Sequence, residues 1–599
     1  MPNERNAVSL IATRLPYAVR RLAYISSDGE SPLVDADLRG SQVYAAALDA
    51  DFDSVKFDIP VDGLWIDAPE ADANTLRIAL EVWPPALSEW GFLWITLHPT
   101  VDAEQLFAAT DFRLWTSQTL PDSAQLVQAV FEEYSAVEHA YALMDEGRPD
   151  WAFDLLDGLP DEALPDAIAQ MEAAVAMQVA LLGWPADTSN APLLRRFSRS
   201  QQQFYKAVYI YPLLHSAYVC QGEFWLKLGR PDMTRRLLRS IQHASPRVEV
   251  EDRLEHIPES RDIVDTEPSL PNWDPAFRPR ILILTYADSD SGMDVLYDGL
   301  CRILGAERLQ EYPYKPVLHG QSGGRHPSAC CHPGQAQSLE TLEAELRVGT
   351  YDCILFADAL RRTPRDEILR LIHANPKTPV VVYDTWDDCN DLHEELRQHL
   401  ELDAFSGFFK REMLAGVSYA SDTRPLPLAY SDGRVPARFP TERQHQVFFA
   451  GNRVFGLRRL YLEHIEEALT CSFADEFAPE EYAARLDESR IGLDFFGFGF
   501  DTVRYWELPA HGCMLLAERK PIRLPYNFQD GVCAVFFDDL PELEEKLQYY
   551  LAHPAEATRI AEAGHQHFLK HHTASARARQ FLAQIQQRIG SHNPEGDLG

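Results

Sequence analysis

The sequence predicts an α/β protein in which two doubly wound parallel sheets follow a small α/β segment and a helical, repeat-like segment. Three observations predict it. Residues Arg490 to Pro521, RIGLDFFGFGFDTVRYWELPAHGCMLLAERKP, read as strand, glycine-bearing loop, helix, tight turn and strand. RPRILILTY, at 278–286, is the nearly continuous apolar run that a parallel sheet buries on both faces. The tetrapeptide Gly-Arg-Pro-Asp occurs at Gly147–Asp150 and again at Gly229–Asp232, each time between helical patterns.

Residues 1–120 read as a small α/β domain. Its expected strands are RLAYIS, GLWIDA, GFLWITL and FRLWTS, with one helix from Ala73 to Glu89. The order of the segments around SEWGFLWITLHP and DFRLWTS resembles the later half of a class I methyltransferase. The Gly-rich loop that such an enzyme uses for its cofactor is missing after the first strand, so a degenerate version is expected. Residues 121–256 read as helical. In both Gly-Arg-Pro-Asp copies glycine suits the end of one helix and proline the first turn of the next. The pattern resembles tetratricopeptide-like hairpins, whose period is about 34 residues; the copies here start at Gly147 and Gly229, so the hairpins between them are irregular. Stacked hairpins offer a face to a peptide or protein.

Two proline-rich stretches, 257–280 and 424–440, mark boundaries on either side of a doubly wound domain over 278–430. Its later strands are YDCILFAD and TPVVVYDTWDD, and 319–338 is a long irregular loop. A second such domain occupies 440–590. In it Asp501 or Thr502 suits the N-cap of the helix that carries Arg504 and Glu507, which are three apart and so share a face.

At these residues the chain resembles a known family. The pattern R-x-x-E-x-x-A-x-G before a strand, from Arg504 to Gly512, is similar to the donor-binding half of GT-B glycosyltransferases, the "group 1" and spore-maturation-protein-like types. HQVFFAGNRVFGLRRLYLEHI resembles that family's opening strand, turn and helix, and FFDDLPELEEKLQYYLAHPAEATRIAEAGHQHFLKHHT its closing segment. The resemblance is good over 440–585 and weaker over 278–440. It implies two Rossmann-like domains facing a cleft, a nucleotide-sugar donor as substrate and no required cofactor. Gly451, Asn452, Arg453, Gly497, Gly499, Asp501, Thr502, Arg504 and Glu507 are the expected donor-binding residues, with Arg504 on the phosphates and Glu507 on a sugar hydroxyl. A helix N-terminus beside a glycine-bearing loop suits a diphosphate. Many retaining members carry two glutamates eight positions apart; Glu507 matches the second, and Gly499 stands where the first would be. In inverting members a base commonly comes from the region of Asp288 and Asp290, which are also placed to cap the next helix. His571 and His572 fall where the closing helical segment returns towards the first Rossmann-like domain.

Composition bounds the partners. The chain has 599 residues and a net charge of −36, which disfavours nucleic acid and anionic membrane. No apolar run approaches the roughly 20 residues of a membrane span, MPNERNAVSL lacks a signal-peptide core, and nine scattered cysteines suit a reducing compartment, so a cytoplasmic protein is expected. Asp384, Asp387, Asp388 and Asp391 form an acidic cluster, but their spacing matches no metal loop. Adjacent Cys330 and Cys331, with His332 and His326, are poor geometry for one tetrahedral site. No metal site is expected. The expected activity is sugar transfer to a hydroxyl, with the helical repeats over 121–250 recruiting a protein acceptor such as flagellin or another bacterial surface protein. The alternatives are a transferase for a surface polysaccharide or lipid-linked glycan, a non-catalytic scaffold with a degenerate module, and a metal-dependent hydrolase built on the 384–391 aspartates.

Overall fold

The computed structural model describes residues 190–589 apart from 260–270, 322–329 and 475, and before these 21–26, 42–47 and, with short gaps, 61–183. His326 and the first ten residues lie outside the described residues. The chain divides into two compact units, 1–186 and 187–599. The division falls inside the helical stretch.

The first unit is built on a six-stranded sheet of order β2-β1-β3-β4-β6-β5, with β1 Arg21–Ser26, β2 Gln42–Ala47, β3 Val61–Asp67, β4 Leu87–Leu97, β5 Phe112–Thr119 and β6 Gln125–Phe131. β1 to β4 are parallel, and β6 inserts antiparallel between β4 and β5. The sheet therefore runs past residue 120. The helix expected from Ala73 to Glu89 is α1, Ala73–Val82. Residues 83–86 lie outside the described residues, and Leu87 already belongs to β4. α2 is Ala103–Phe107. Helices α3 (Ala136–Asp145), α4 (Pro149–Asp157) and α5 (Ala167–Gly183) complete the unit.

The second unit opens with α6 (Asn190–Ile210), α7 (His215–Lys227), α8 (Pro231–Ala244) and α9 (Val248–His256). Both Gly-Arg-Pro-Asp copies form the helical hairpin their residues dictate. Gly147 and Gly229 adopt φ of 76° and 72°, left-handed values that cost a side-chain-bearing residue energy. Pro149 and Pro231 are the first residues of α4 and α8.

A six-stranded all-parallel sheet of order β12-β11-β10-β9-β7-β8 follows, from β7 Ile281–Leu284, β8 Leu309–Tyr312, β9 Cys353–Phe356, β10 Val380–Asp384, β11 Gly407–Lys410 and β12 Thr423–Pro425. Its crossovers include α10 (Ser291–Leu304), α11 (Leu339–Arg347), α12 (Arg365–Ala374) and α13 (His393–His399). The central strands are apolar along their whole length because helices cover both faces. The last sheet is parallel, β13-β14-β15-β16, from β13 His445–Phe448, β14 Ser489–Asp494, β15 Met514–Glu518 and β16 Val535–Phe537. Around it lie α14 (Arg458–Leu469), α15 (Pro479–Asp487), α16 (Val503–Ala510), α17 (Leu540–Ala552) and α18 (Pro554–His571). After His572 the chain returns. α19 (Ala574–Ile589) places Phe581, Leu582 and Ile585 in the core of the first parallel sheet. At Gly299 of α10 a Cβ would lie 2.0 Å from the Ala574 carbonyl oxygen, so only glycine permits this approach. Two parallel sheets joined by such a return make the GT-B architecture. No described helix is long and apolar enough to cross a membrane.

Helices α7 and α8 lie against the last sheet's domain. Arg236 bonds Asp538 at 2.8 Å and the Arg519 carbonyl at 2.9 Å. Buried Arg230 donates to the carbonyls of Ala415 and Pro521 at 3.0 and 3.1 Å. Trp225 meets Phe500 with ring centroids 5.9 Å apart.

Candidate functional site

The turn after β13 carries the strongest local signal for an anion. Gly451 has φ of 152°, and a Cβ there would lie 2.5 Å from Nη2 of Arg504. The missing side chain seats the guanidinium, which donates to the Ala450 carbonyl and lies 4.5 Å over the Phe449 ring. A second guanidinium comes from Arg458, at the first turn of α14. It donates to the carbonyls of Asn452 at 2.9 Å and Phe495 at 3.3 Å. Burial, and then repulsion from Arg504, lowers the Arg458 pKa to about 10. Neither arginine forms an ion pair among the described residues, and the buried Nε of each has no hydrogen-bond partner. Two adjacent cations with no carboxylate within ion-pair distance among the described residues, beside the N-termini of α14 and α16, suit an anion, although Asp494 and Glu518 act on Arg458 from farther away.

Arg453 is not part of it. Its guanidinium grips Glu466 through two bonds of 2.7 and 2.9 Å and donates to the Phe473 carbonyl at 3.0 Å. The carboxylate one helix face away neutralises it, and Arg458 takes the position expected for it. Asn452 is exposed, and its side-chain oxygen accepts from Val454 N at 2.7 Å in a local turn.

Arg504 and Glu507 reach the same phenol. Tyr482 donates to Glu507 at 2.6 Å, and both residues shift its titration. Glu507 is only 8 % exposed, so its carboxylate sits behind Tyr482 rather than in open solvent.

The glycine-bearing loop is approached by the protein itself. A Cβ at Gly499 would lie 2.4 Å from Oε1 of Glu412 and 2.9 Å from the Asp387 carbonyl oxygen. Glu412, following β11, accepts from the backbone N–H groups of Phe500 and Asp501, each at 2.9 Å. Burial raises its pKa to about 7. Gly499 thus admits a carboxylate of the first parallel-sheet domain. At Gly497 a Cβ would stand 3.2 Å from Nη2 of Arg458, so this glycine does flank the cationic site. Asp501 is buried, accepting from Leu428 N at 2.6 Å and Trp506 Nε1 at 2.8 Å, with Arg411 beside it at 3.5 Å. It joins the two domains. Thr502 occupies the N-cap of α16 without a capping bond, because its hydroxyl donates to Asp494, which also binds Lys520.

The two aspartates expected near an acceptor differ in fate. Asp288 is exposed and pairs with Arg362 at 2.9 Å. Asp290 caps α10: Oδ1 accepts from Gly292 N and Met293 N, and Oδ2 accepts from Tyr286 at 3.0 Å and Thr385 at 2.6 Å. All its acceptor positions are in use, so it has no lone pair left for a substrate proton.

The acidic cluster is partly neutralised by Lys410 and Arg411. Asp384 and Lys410 form a fully buried pair at 2.8 Å, Asp387 binds Arg411, and Asp391 accepts from His393 N and Ala420 N. Asp388 is pushed up to about 6 by burial. Lys410 and Arg411 take the carboxylates of Asp384 and Asp387, which argues against a metal-dependent hydrolase built on this cluster.

Residues Arg411, Glu412 and Arg458 were not identified in the sequence. Arg411 and Glu412 fall in FFKREML, a segment that resembles the GT-B family near its domain crossover, but the resemblance assigns these charges no role. Arg458 sits next to Arg459, and spacing alone does not say which of the two turns inward.

Residues 444–583 match the model of the glycosyl transferase-like family. No curated protein sequence matches the chain significantly. Among solved structures, similarity is found to the Thermobaculum terrenum O-GlcNAc transferase, at 12 % identity and a TM-score of 0.34 over 76 % of this chain and 98 % of that one. A glycosyltransferase from Rickettsia africae matches at 8 % identity and a TM-score of 0.37, covering 52 % and 98 %. The Anabaena protein HepE in complex with UDP matches at 11 % identity and a TM-score of 0.34, covering 51 % and 100 %.

Proposed function

From a C-terminal domain of the glycosyl transferase-like family, set in a GT-B architecture, we propose that this glycosyltransferase moves a sugar from a nucleotide-sugar donor to a hydroxyl of a protein acceptor. The observation that carries the donor is the pair Arg458 and Arg504, two adjacent guanidiniums at two helix N-termini with no carboxylate within ion-pair distance among the described residues. A diphosphate supplies the missing negative charge. As the glycosidic bond to the donor breaks, charge builds on the leaving phosphate, and preorganised donors there stabilise the transition state more than the ground state. The helical segment fused to this module supports a macromolecular acceptor, a flagellin-like or other surface protein by analogy. Because one face of α7 and α8 is already covered, the acceptor would use other surfaces.

The test is a thermal-shift and calorimetry panel of UDP-, GDP-, dTDP- and CMP-sugars. One nucleotide class should stabilise the wild type by linkage. Arg458→Ala or Arg504→Ala should each weaken that donor roughly ten- to a hundredfold, the loss of one charge-assisted bond of about 1.5–3 kcal/mol. Arg453→Ala should leave donor affinity unchanged. Donor binding lost in Arg453→Ala and retained in Arg458→Ala would overturn the assignment. A non-catalytic scaffold is the second reading, favoured by Asp290 and Glu412 both bonding backbone amides. Saturable donor binding without hydrolysis or transfer would select it.

A further inference from the structure

Residues 330–332 meet α10 through a group of side chains that the proposed sugar-transfer site does not use. Cys330 and Cys331 are adjacent in sequence but diverge in space: Cys330 is buried and Cys331 exposed. Cys330 turns toward α10, where its thiol lies 3.4 Å from the Asp294 carbonyl oxygen. His332, two residues on, directs Nε2 to Oδ1 of Asp298 at 2.7 Å. A sulfur, a ring nitrogen and a carboxylate oxygen, from Cys330, His332 and Asp298, lie within 4.8 Å of one another. Among the described residues this is the single grouping of that kind.

We propose that Asp298, Cys330 and His332 bind one zinc ion and so fasten residues 330–332 to α10. The donor set is the mixed S, N and O set that Zn2+ takes in tetrahedral sites. The scaffold is rigid on one side, since Asp298 is fully buried in a helix whose neighbours form the first sheet's core. The ligands are also supported from behind. Ser431 donates to Oδ2 of Asp298 at 2.7 Å, and the His332 carbonyl is bonded by His319, whose other nitrogen meets Glu311 at 2.8 Å. Such partners orient metal ligands. Arg302 also pairs with Oδ1 of Asp298 at 2.8 Å.

Three protein ligands leave the fourth tetrahedral position to water. Cys330 binds as the thiolate, so binding releases one thiol proton to solvent, and no electron is transferred.

The experiment is elemental analysis of purified full-length protein, followed by chelator stripping and reloading with Co2+ as a spectroscopic substitute. The expected result is about one zinc per chain and, with Co2+, a thiolate-to-cobalt charge-transfer band. That band should vanish in Cys330→Ser, weaken in His332→Ala and persist in Cys331→Ser, with folding followed by circular dichroism. Removing the metal should lower the wild-type melting temperature, and Zn2+ should restore it. A folded wild type that purifies without metal and gives no thiolate band with Co2+ would overturn the site. A band that survives in folded Cys330→Ser would overturn it too, because the metal would then sit on other thiols.

Discussion

A methyl group on residue 499 would have to share space with the Glu412 carboxylate, 2.4 Å away, and with the Asp387 carbonyl oxygen, 2.9 Å away. Both neighbours are held, Glu412 by two amide bonds. Gly499→Ala should therefore destabilise the protein by roughly 1–3 kcal/mol as an overpacking change, read as a lower urea midpoint at unchanged slope. The same carboxylate predicts a pH dependence. Its folded pKa is near 7, above the 4.5 of an ordinary glutamate, because it is buried. Between those values the folded state binds more protons than the unfolded one, so this group's contribution falls as pH rises from about 4.5 to about 7. Glu412→Gln should flatten that part of the stability–pH curve, measured by denaturant titration at each pH. A curve as steep as the wild type's would show that Glu518, also near 7 through burial, dominates. At this scale sequence reading is weakest. Arg504 stands out because a motif surrounds it, whereas Arg453 and Arg458 differ only in which neighbour answers them. Glu466 lies thirteen residues beyond Arg453 and neutralises it. Only the folded helix brings that carboxylate into place.

Elements were far more legible, because periodicity and chain-breaking residues act locally. The Gly-Arg-Pro-Asp turns fix two helix ends and two helix starts through glycine's left-handed φ and proline's missing N–H. The strands RLAYIS and ILIL follow from their apolar runs. β6, QLVQAVF, was not identified: it alternates weakly, and its place between β4 and β5 depends on long-range pairing. The helical segment could be read as hairpins, but what their faces touch could not. Buried Arg230 answers two carbonyls across that contact, at Ala415 and Pro521. Arg230→Ala leaves both without that donor and should cost about 2–3 kcal/mol, seen as a lowered melting temperature. Deleting 187–256 should be worse, since Phe500 and Tyr461 line the covered face with Trp225 and Phe204. The remaining chain is expected to aggregate on size-exclusion chromatography.

For the molecule as a whole, the division at residue 186 sets what can be separated. The first unit has its own six-stranded sheet and its own buried side chains, among them Leu64, Trp65, Leu93 and Ile95. The second contains both parallel sheets, the returning α19 and every residue proposed for the donor site. A chain starting at residue 187 keeps α6 to α9, and so retains the covering that a chain starting at 278 would lose. Residues 187–599 should therefore fold cooperatively and bind the donor sugar nucleotide with the affinity of the full chain, within about twofold by calorimetry. Transfer should separate from binding here. If the first unit helps to recruit a protein acceptor, the truncated enzyme should hydrolyse donor slowly at the full-length rate yet lose transfer to that acceptor. A truncated chain whose donor affinity drops tenfold would instead mean that the first unit shapes the donor site, and Arg458 and Arg504 would then be only part of it.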